Sequence, residues 1–268
     1  MTEFKTNVDY SVLDRPEILM FLFHPRPEGA WGNPEHPGLD IAIPVEMDIS
    51  IGARFHMAST PNPNILFFHG NGEIVGDYDE LGPVYNRLGI NFLPVDYRGY
   101  GRSNGDPSVS AMMTDCHAIF LFVKDWLEQH HYTGPLIVMG RSLGSASALE
   151  LASTRFTDID ALIIESGFAL ASPLLNLLGI DTLKLGFREE NGFGNIDKIK
   201  KYRKPTLIIH AEYDHIIPFS DGQSLFEASV AAHKNLLKIP GANHNDIFTR
   251  GLPAYLAAIE ALVKALRV

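Results

Sequence analysis

The stretch Leu136–Phe156, LIVMGRSLGSASALELASTRF, decides how the rest of the chain is read. It opens with a short apolar run, Leu136–Gly140, of the kind that forms a strand buried on both faces. It closes with Leu143–Phe156, where apolar residues recur at helical spacing. Between them stands Gly140-Arg141-Ser142-Leu143-Gly144, a G-x-S-x-G. A serine on a tight strand-to-helix turn has little room on either side, so glycines two residues before and after it have a physical reason. The helix that follows turns its free amides and the positive end of its dipole toward whatever Ser142 attacks.

The same alternation runs outward in both directions. Asn64–His69, Asn91–Asp96, Ala161–Glu165, Thr206–Ala211 and Leu236–Pro240 are apolar runs like Leu136–Gly140. Helical-period segments lie between them at Tyr78–Leu88, Ser110–His131, Ser220–Ala231 and Asn245–Leu266. Strand and helix in alternation predict an α/β fold with a doubly wound, mostly parallel sheet. Ile43–Ser50 and Ala53–Ser59, on either side of Gly52, alternate in polarity and predict an antiparallel hairpin near the amino terminus. Residues 24–40, rich in Pro and Gly, read as an irregular surface connection. The connection from Gly167 to Pro205 is far longer than one crossover needs. Its Leu-rich part, Phe168–Phe187, reads as a small helical lid, an insertion at about 168–190 in a single domain spanning 1–268.

In such a sheet ligands bind beyond the carboxyl ends of the strands, so reactive residues should follow a strand. A serine hydroxyl needs a base, and the base needs an orienting acid. Of the 11 histidines, His244 follows the last strand and precedes the last helix. His69, His130, His131, His210 and His215 read as structural or solvated. For the acid, Asp214 follows a strand and lies between Ser142 and His244. Glu165 follows an earlier strand and is the rival. Asp246 suits the first turn of the last helix. The oxyanion donors are expected at the amide of Leu143 and, from the loop His69-Gly70-Asn71-Gly72, at the amide of Asn71. The lid leucines, Leu174 and Leu178 among them, are expected to line an apolar acyl pocket.

Taken in series, His69-Gly70-Asn71-Gly72, Asp96-Tyr97-Arg98-Gly99-Tyr100-Gly101-Arg102-Ser103, the Ser142 pentapeptide and Asn243-His244-Asn245-Asp246 resemble the α/β-hydrolase superfamily. The order Ser142, Asp214, His244 is that superfamily's order. The segment Asn195–Lys201 and the residues around His244 are similar to a branch that includes protein depalmitoylases and bacterial serine hydrolases. The resemblance implies an α/β-hydrolase fold and hydrolysis of esters or thioesters without a cofactor. Alternatives from other classes are a serine aminopeptidase-like peptidase and a non-catalytic hydrolase-like binding protein. The lid offers only Asp181 as an acid to hold a peptide's amino group, which favours an acyl substrate. Gly70-x-Gly72 followed by Asp96 imitates a dinucleotide fingerprint, but the spacing is not G-x-G-x-x-G.

Composition sets outer limits. The chain has 268 residues, 46% of them hydrophobic, enough for a full core. A net charge of −10 argues against nucleic acid and anionic membrane surfaces as partners. The single cysteine, Cys116, falls in a helical segment and reads as a core thiol. No basic start precedes an apolar stretch at the amino terminus, and Ile18–Phe23 is too short to span a bilayer. These features predict a cytoplasmic protein without a membrane anchor. No H-E-x-x-H, paired cysteines or P-loop lysine occurs, so neither a metal nor a nucleotide cofactor is expected. The expected partner is a small acyl ester or thioester.

Overall fold

A computed structural model of the chain describes residues 8–29 and 38–266. The middle of the Pro- and Gly-rich stretch, residues 30–37, and the first seven residues lie outside the described residues. The chain forms two compact units that divide at Leu136.

The first unit carries helix α1 (Pro16–Leu22), the hairpin β1 (Leu39–Glu46) and β2 (Ile49–Phe55), strand β3 (Asn64–Phe68), helix α2 (Leu81–Arg87), strand β4 (Asn91–Val95) and helix α3 (Val109–Gln129). Its strands lie in the order β1-β2-β4-β3. The pairs β1·β2 and β2·β4 are antiparallel, and β3·β4 is parallel. Helix α1 starts with a proline at a position where no amide partner is needed. Helix α3 is capped twice. Ser108 Oγ accepts the Ala111 amide at 3.0 Å, and the Asp14 carboxylate accepts the Val109 amide at 2.7 Å. Cys116 is a buried thiol in α3, donating to the Met113 carbonyl.

An antiparallel hairpin forms near the amino terminus as expected, but both strands lie four residues earlier than the expected Ile43–Ser50 and Ala53–Ser59. The chain reverses at Met47-Asp48, and Gly52 lies inside β2 opposite Ala42. A side chain at Gly52 would come within 3.1 Å of Asp96 Oδ2, so the glycine serves a close approach rather than a turn. Asp96 is fully buried, 3.1 Å from His69 Nε2, and accepts the Val75 amide at 2.9 Å. It is a structural acid within this unit. Arg54, also fully buried, is paired with Glu28, Asp40 and Asp79, each at 2.8 Å, as a cation removed from water must be.

The second unit carries β5 (Leu136–Arg141), α4 (Gly144–Thr154), β6 (Ala161–Glu165), α5 (Ala171–Leu177), α6 (Asn195–Ile199), β7 (Thr206–Ala211), α7 (Phe219–Ala228), β8 (Lys234–Ile239) and α8 (Ile247–Ala265). The order is β5-β6-β7-β8, all parallel. Every residue of β5, β6 and β7 is buried. Those three runs had no polar alternation because both faces are covered. Strand β8 is an edge and shows it: Lys234 and Lys238 break its apolar run. Ser142, Asp214 and His244 follow the carboxyl ends of these strands and Glu165 is the last residue of β6, at the edge where open α/β sheets bind their ligands.

Candidate active site

Ser142 stands between β5 and α4 with φ of +50°, a left-handed conformation that costs a non-glycine residue of order 1–3 kcal/mol. Its amide donates to the Glu165 carbonyl at 2.8 Å, which ties the turn to the end of β6. A side chain at Gly140 would sit 2.3 Å from the Gly144 carbonyl oxygen. The glycine before the serine is therefore a steric requirement of the turn. Leu143 occupies the N-cap of α4, so its amide belongs to the first helical turn, where amides have no partner inside the helix.

His244 sits in the loop between β8 and α8, and Asp214 in the loop after β7. His244 Nε2 is 3.0 Å from Ser142 Oγ, and His244 Nδ1 is 2.7 Å from Asp214 Oδ2. A carboxylate can only accept, so Nδ1 carries the proton and Nε2 is left to accept from the serine. The other oxygen, Asp214 Oδ1, accepts the amides of Ile216 at 3.0 Å and Ile217 at 2.8 Å. Burial pushes the Asp214 carboxyl up, but the His244 hydrogen bond and charge and the Ile217 amide outweigh it. The net effect holds Asp214 below the usual carboxylate range. Behind it, His210 Nε2 lies 3.6 Å from Asp214 Oδ2 and 2.8 Å from the Ile217 carbonyl. Burial pushes the His210 imidazole down, toward the neutral form.

Glu165 has other partners. Its Oε1 accepts from Arg141 Nη1 at 2.6 Å and its Oε2 from the Tyr255 hydroxyl at 2.8 Å. Arg141 Nη2 donates to the main-chain carbonyl of His244 at 2.9 Å. Asp246 accepts the Asn243 amide at 2.6 Å and Arg250 Nε at 2.7 Å, ordering the start of α8.

The lid segment folds as α5 followed by turns. With the loop after β7 it borders an open pocket of about 130 Å³, walled by Phe168, Leu174, Leu177, Ile216, Ile217 and Asp221 among others. Leu178, expected beside Leu174, caps α5 and does not wall the pocket; Leu177 takes that place. Residues 174 and 177 fall on one face of the helix, and the phase of so short a helix cannot be read from a leucine-rich run. Asn71 belongs to the first unit. Its Oδ1 accepts the His24 amide at 2.8 Å and the Tyr100 hydroxyl at 2.7 Å, and Gly72 beside it has φ of +76°. Its role as an oxyanion donor rests on sequence. Among the described residues no cluster of three or more His, Cys, Asp or Glu is placed to hold a metal. Among them also, no helix is long and apolar enough to cross a membrane.

Sequence reasoning did not find Arg141, Tyr255, Ile216 or Ile217, and read His210 only as structural or solvated. Ile216 and Ile217 act on Asp214 through main-chain amides, which leave no trace in residue type. Gly222 is a faint signal for His210, since a side chain there would lie 2.5 Å from the His210 ring.

Comparison with known proteins bears on this geometry. Over 241 residues the chain is 32% identical to alpha/beta hydrolase domain-containing protein aho-3 of Caenorhabditis elegans, covering 85% of this chain and 68% of that one. The chain belongs to the α/β-hydrolase superfamily. A family model described as serine aminopeptidase, S33, matches residues 59–183. Lysophosphatidylserine lipase ABHD12 of Xenopus tropicalis is 36% identical over 191 residues, covering 65% of this chain. The match spans 48% of that lipase, so the chain corresponds to about half the relative's length. Among solved structures, the Pyrococcus furiosus esterase Pf2001 has the same fold, with a TM-score of 0.72, 17% identity, and coverage of 91% of this chain and 98% of its own.

Proposed function

We propose that this α/β-hydrolase cleaves carboxylic esters or thioesters through an acyl-enzyme on Ser142, with His244 as general base and general acid and Asp214 as its orienting acid. The observation that carries the reading is the hydrogen-bonded series Asp214 Oδ2 to His244 to Ser142 Oγ, at 2.7 and 3.0 Å. His244 Nε2 takes the hydroxyl proton as Ser142 Oγ bonds to the substrate's carbonyl carbon. The carbonyl oxygen takes up negative charge opposite the Leu143 amide. Collapse of the tetrahedral intermediate breaks the bond to the leaving alcohol or thiol, which receives the proton from His244. Water then repeats the sequence and frees the acid. Asp214 stays ionised throughout and stabilises the imidazolium.

The acyl group is assigned to the pocket beside the lid. Its volume is about 130 Å³. That is close to the roughly 150 Å³ that admits a benzene ring, and so matches a medium acyl chain. The similarity to a lysophosphatidylserine lipase and to a microbial esterase supports an ester substrate. The test is steady-state hydrolysis of p-nitrophenyl butyrate by Ser142→Ala. The variant is expected to lose turnover by about 10³-fold or more. Wild-type turnover in that variant would end the reading.

A further inference from the structure

Arg141, Glu165 and Tyr255 are almost or wholly removed from solvent, and they bond to one another and to the main chain of His244. We propose that these three are positioning residues: a buried clamp that fixes the backbone of His244 against the Ser142 elbow. The proposal rests on the reading of Ser142 and His244 given above.

The connections close into a ring. Arg141 precedes Ser142 in the chain, and its Nη2 donates to the His244 carbonyl at 2.9 Å. Its Nη1 donates to Glu165 Oε1 at 2.6 Å. Glu165 Oε2 accepts from Tyr255, on the helix that begins just after His244, at 2.8 Å. The main-chain oxygen of Glu165 accepts the Ser142 amide at 2.8 Å. Glu165 thus holds the nucleophile through its backbone and the base through Arg141, while Tyr255 ties the acid to α8.

Stability alone does not account for such a ring. Apolar residues of similar volume generally stabilise a core as well as a buried ion pair does, or better. An ion pair adds direction. The guanidinium is a rigid planar fork, so fixing one nitrogen on Glu165 aims the other at the His244 carbonyl. A lysine has one ammonium and could not serve both acceptors with fixed geometry. The His244 loop has ties of its own to the β7 end, through Tyr213 N to Ala242 O at 2.8 Å and Gly241 N to Glu212 Oε2 at 2.9 Å. Outside the triad, the bond from Arg141 joins that loop to the elbow. The imidazole must pass a proton from Ser142 to a leaving group without drifting. Misplacement by about 1 Å costs roughly 10²-fold in rate. A clamp that never touches substrate should act on kcat and leave KM alone.

The test uses the variant Arg141→Met/Glu165→Leu/Tyr255→Phe, which removes the two opposite charges and the hydroxyl together, so that neither charge of the Arg141–Glu165 pair is left without the other. It is expected to unfold within a few degrees of wild type. On p-nitrophenyl butyrate its kcat should fall roughly 10- to 100-fold with KM within about twofold. Its rate of labelling by a fluorophosphonate at Ser142 should fall in parallel. If it folds and keeps wild-type kcat and labelling rate, the clamp is a packing feature and the proposal is wrong. Should the triple variant fail to fold, Tyr255→Phe decides: a several-fold drop in kcat at constant KM supports the clamp, and unchanged kcat overturns it. Failure of the underlying reading is separate, because it would appear as wild-type activity in Ser142→Ala.

Discussion

Strands β6 and β7 are neighbours in the second unit; β6 ends on a buried acid, and the loop after β7 carries another. At the end of β6, Glu165 faces a guanidinium and a phenol. After β7, Asp214 faces an imidazole and two main-chain amides. Both acids are satisfied, and both lie close to Ser142 in the fold. What separates them is whether the partner can change its protonation at neutral pH. Arginine cannot, so the Glu165 pair is fixed and suits a structural tie. Histidine can, so the Asp214 pair suits proton transfer. A strand-end position makes an acid a candidate, and its partner decides what the acid does.

The comparison breaks most easily by amide substitution. Asp214→Asn should lower kcat by about 10⁴-fold, because an amide nitrogen facing Nδ1 favours the wrong tautomer. Glu165→Gln keeps an acceptor for Arg141, so it should cost less than about 10²-fold, on kcat. The ratio of the two kcat values on p-nitrophenyl butyrate is the measurement, and a reversed ranking would move the orienting role to Glu165.

A pH profile sharpens the same contrast. Asp214 is held below the usual carboxylate range, so it stays ionised well under neutral pH. A limb of kcat/KM between pH 5 and 8 must then report the general base, which acts only when neutral. The rate should rise with pH across that window, because the base accepts the serine proton only in its neutral form. A flat profile over that window, with chemistry rate-limiting, would remove the base from the account.

Much of this second unit was legible in the sequence. Strands β5, β6 and β7 fall within one residue of the apolar runs, because a strand covered on both faces must be apolar throughout. Ser142 was marked by its glycines, since Gly140 leaves no space for a side chain. The division of labour between Asp214 and Glu165 was not legible. It depends on Arg141, which reads as a spacer within the pentapeptide, and on Tyr255, which reads as one more packing residue of α8. The turn of the first hairpin was misplaced at Gly52 for a related reason. That glycine answers to Asp96, which is remote in the chain.

The smallest expected effects concern the lid. Leu174→Ser/Leu177→Ser should flatten the rise of kcat/KM from p-nitrophenyl acetate to hexanoate, a rise of roughly tenfold or more over two or three methylenes. Acetate hydrolysis should be nearly unchanged. Leu178→Ser, outside the pocket wall, should leave the slope as it is. An equal flattening by both variants would mean that the substitutions loosen the lid rather than line the acyl site.

The central claim is that the acid after β7, and not the one that ends β6, drives covalent chemistry at Ser142. It is tested most directly by quenching the enzyme in mid-turnover of p-nitrophenyl butyrate and mapping the acyl adduct by peptide mass spectrometry. The account predicts a butyryl group on Ser142, absent in Ser142→Ala, formed far more slowly in Asp214→Asn, and still readily formed in Glu165→Gln. An adduct on another residue, or one that forms at the wild-type rate in Asp214→Asn, would contradict it.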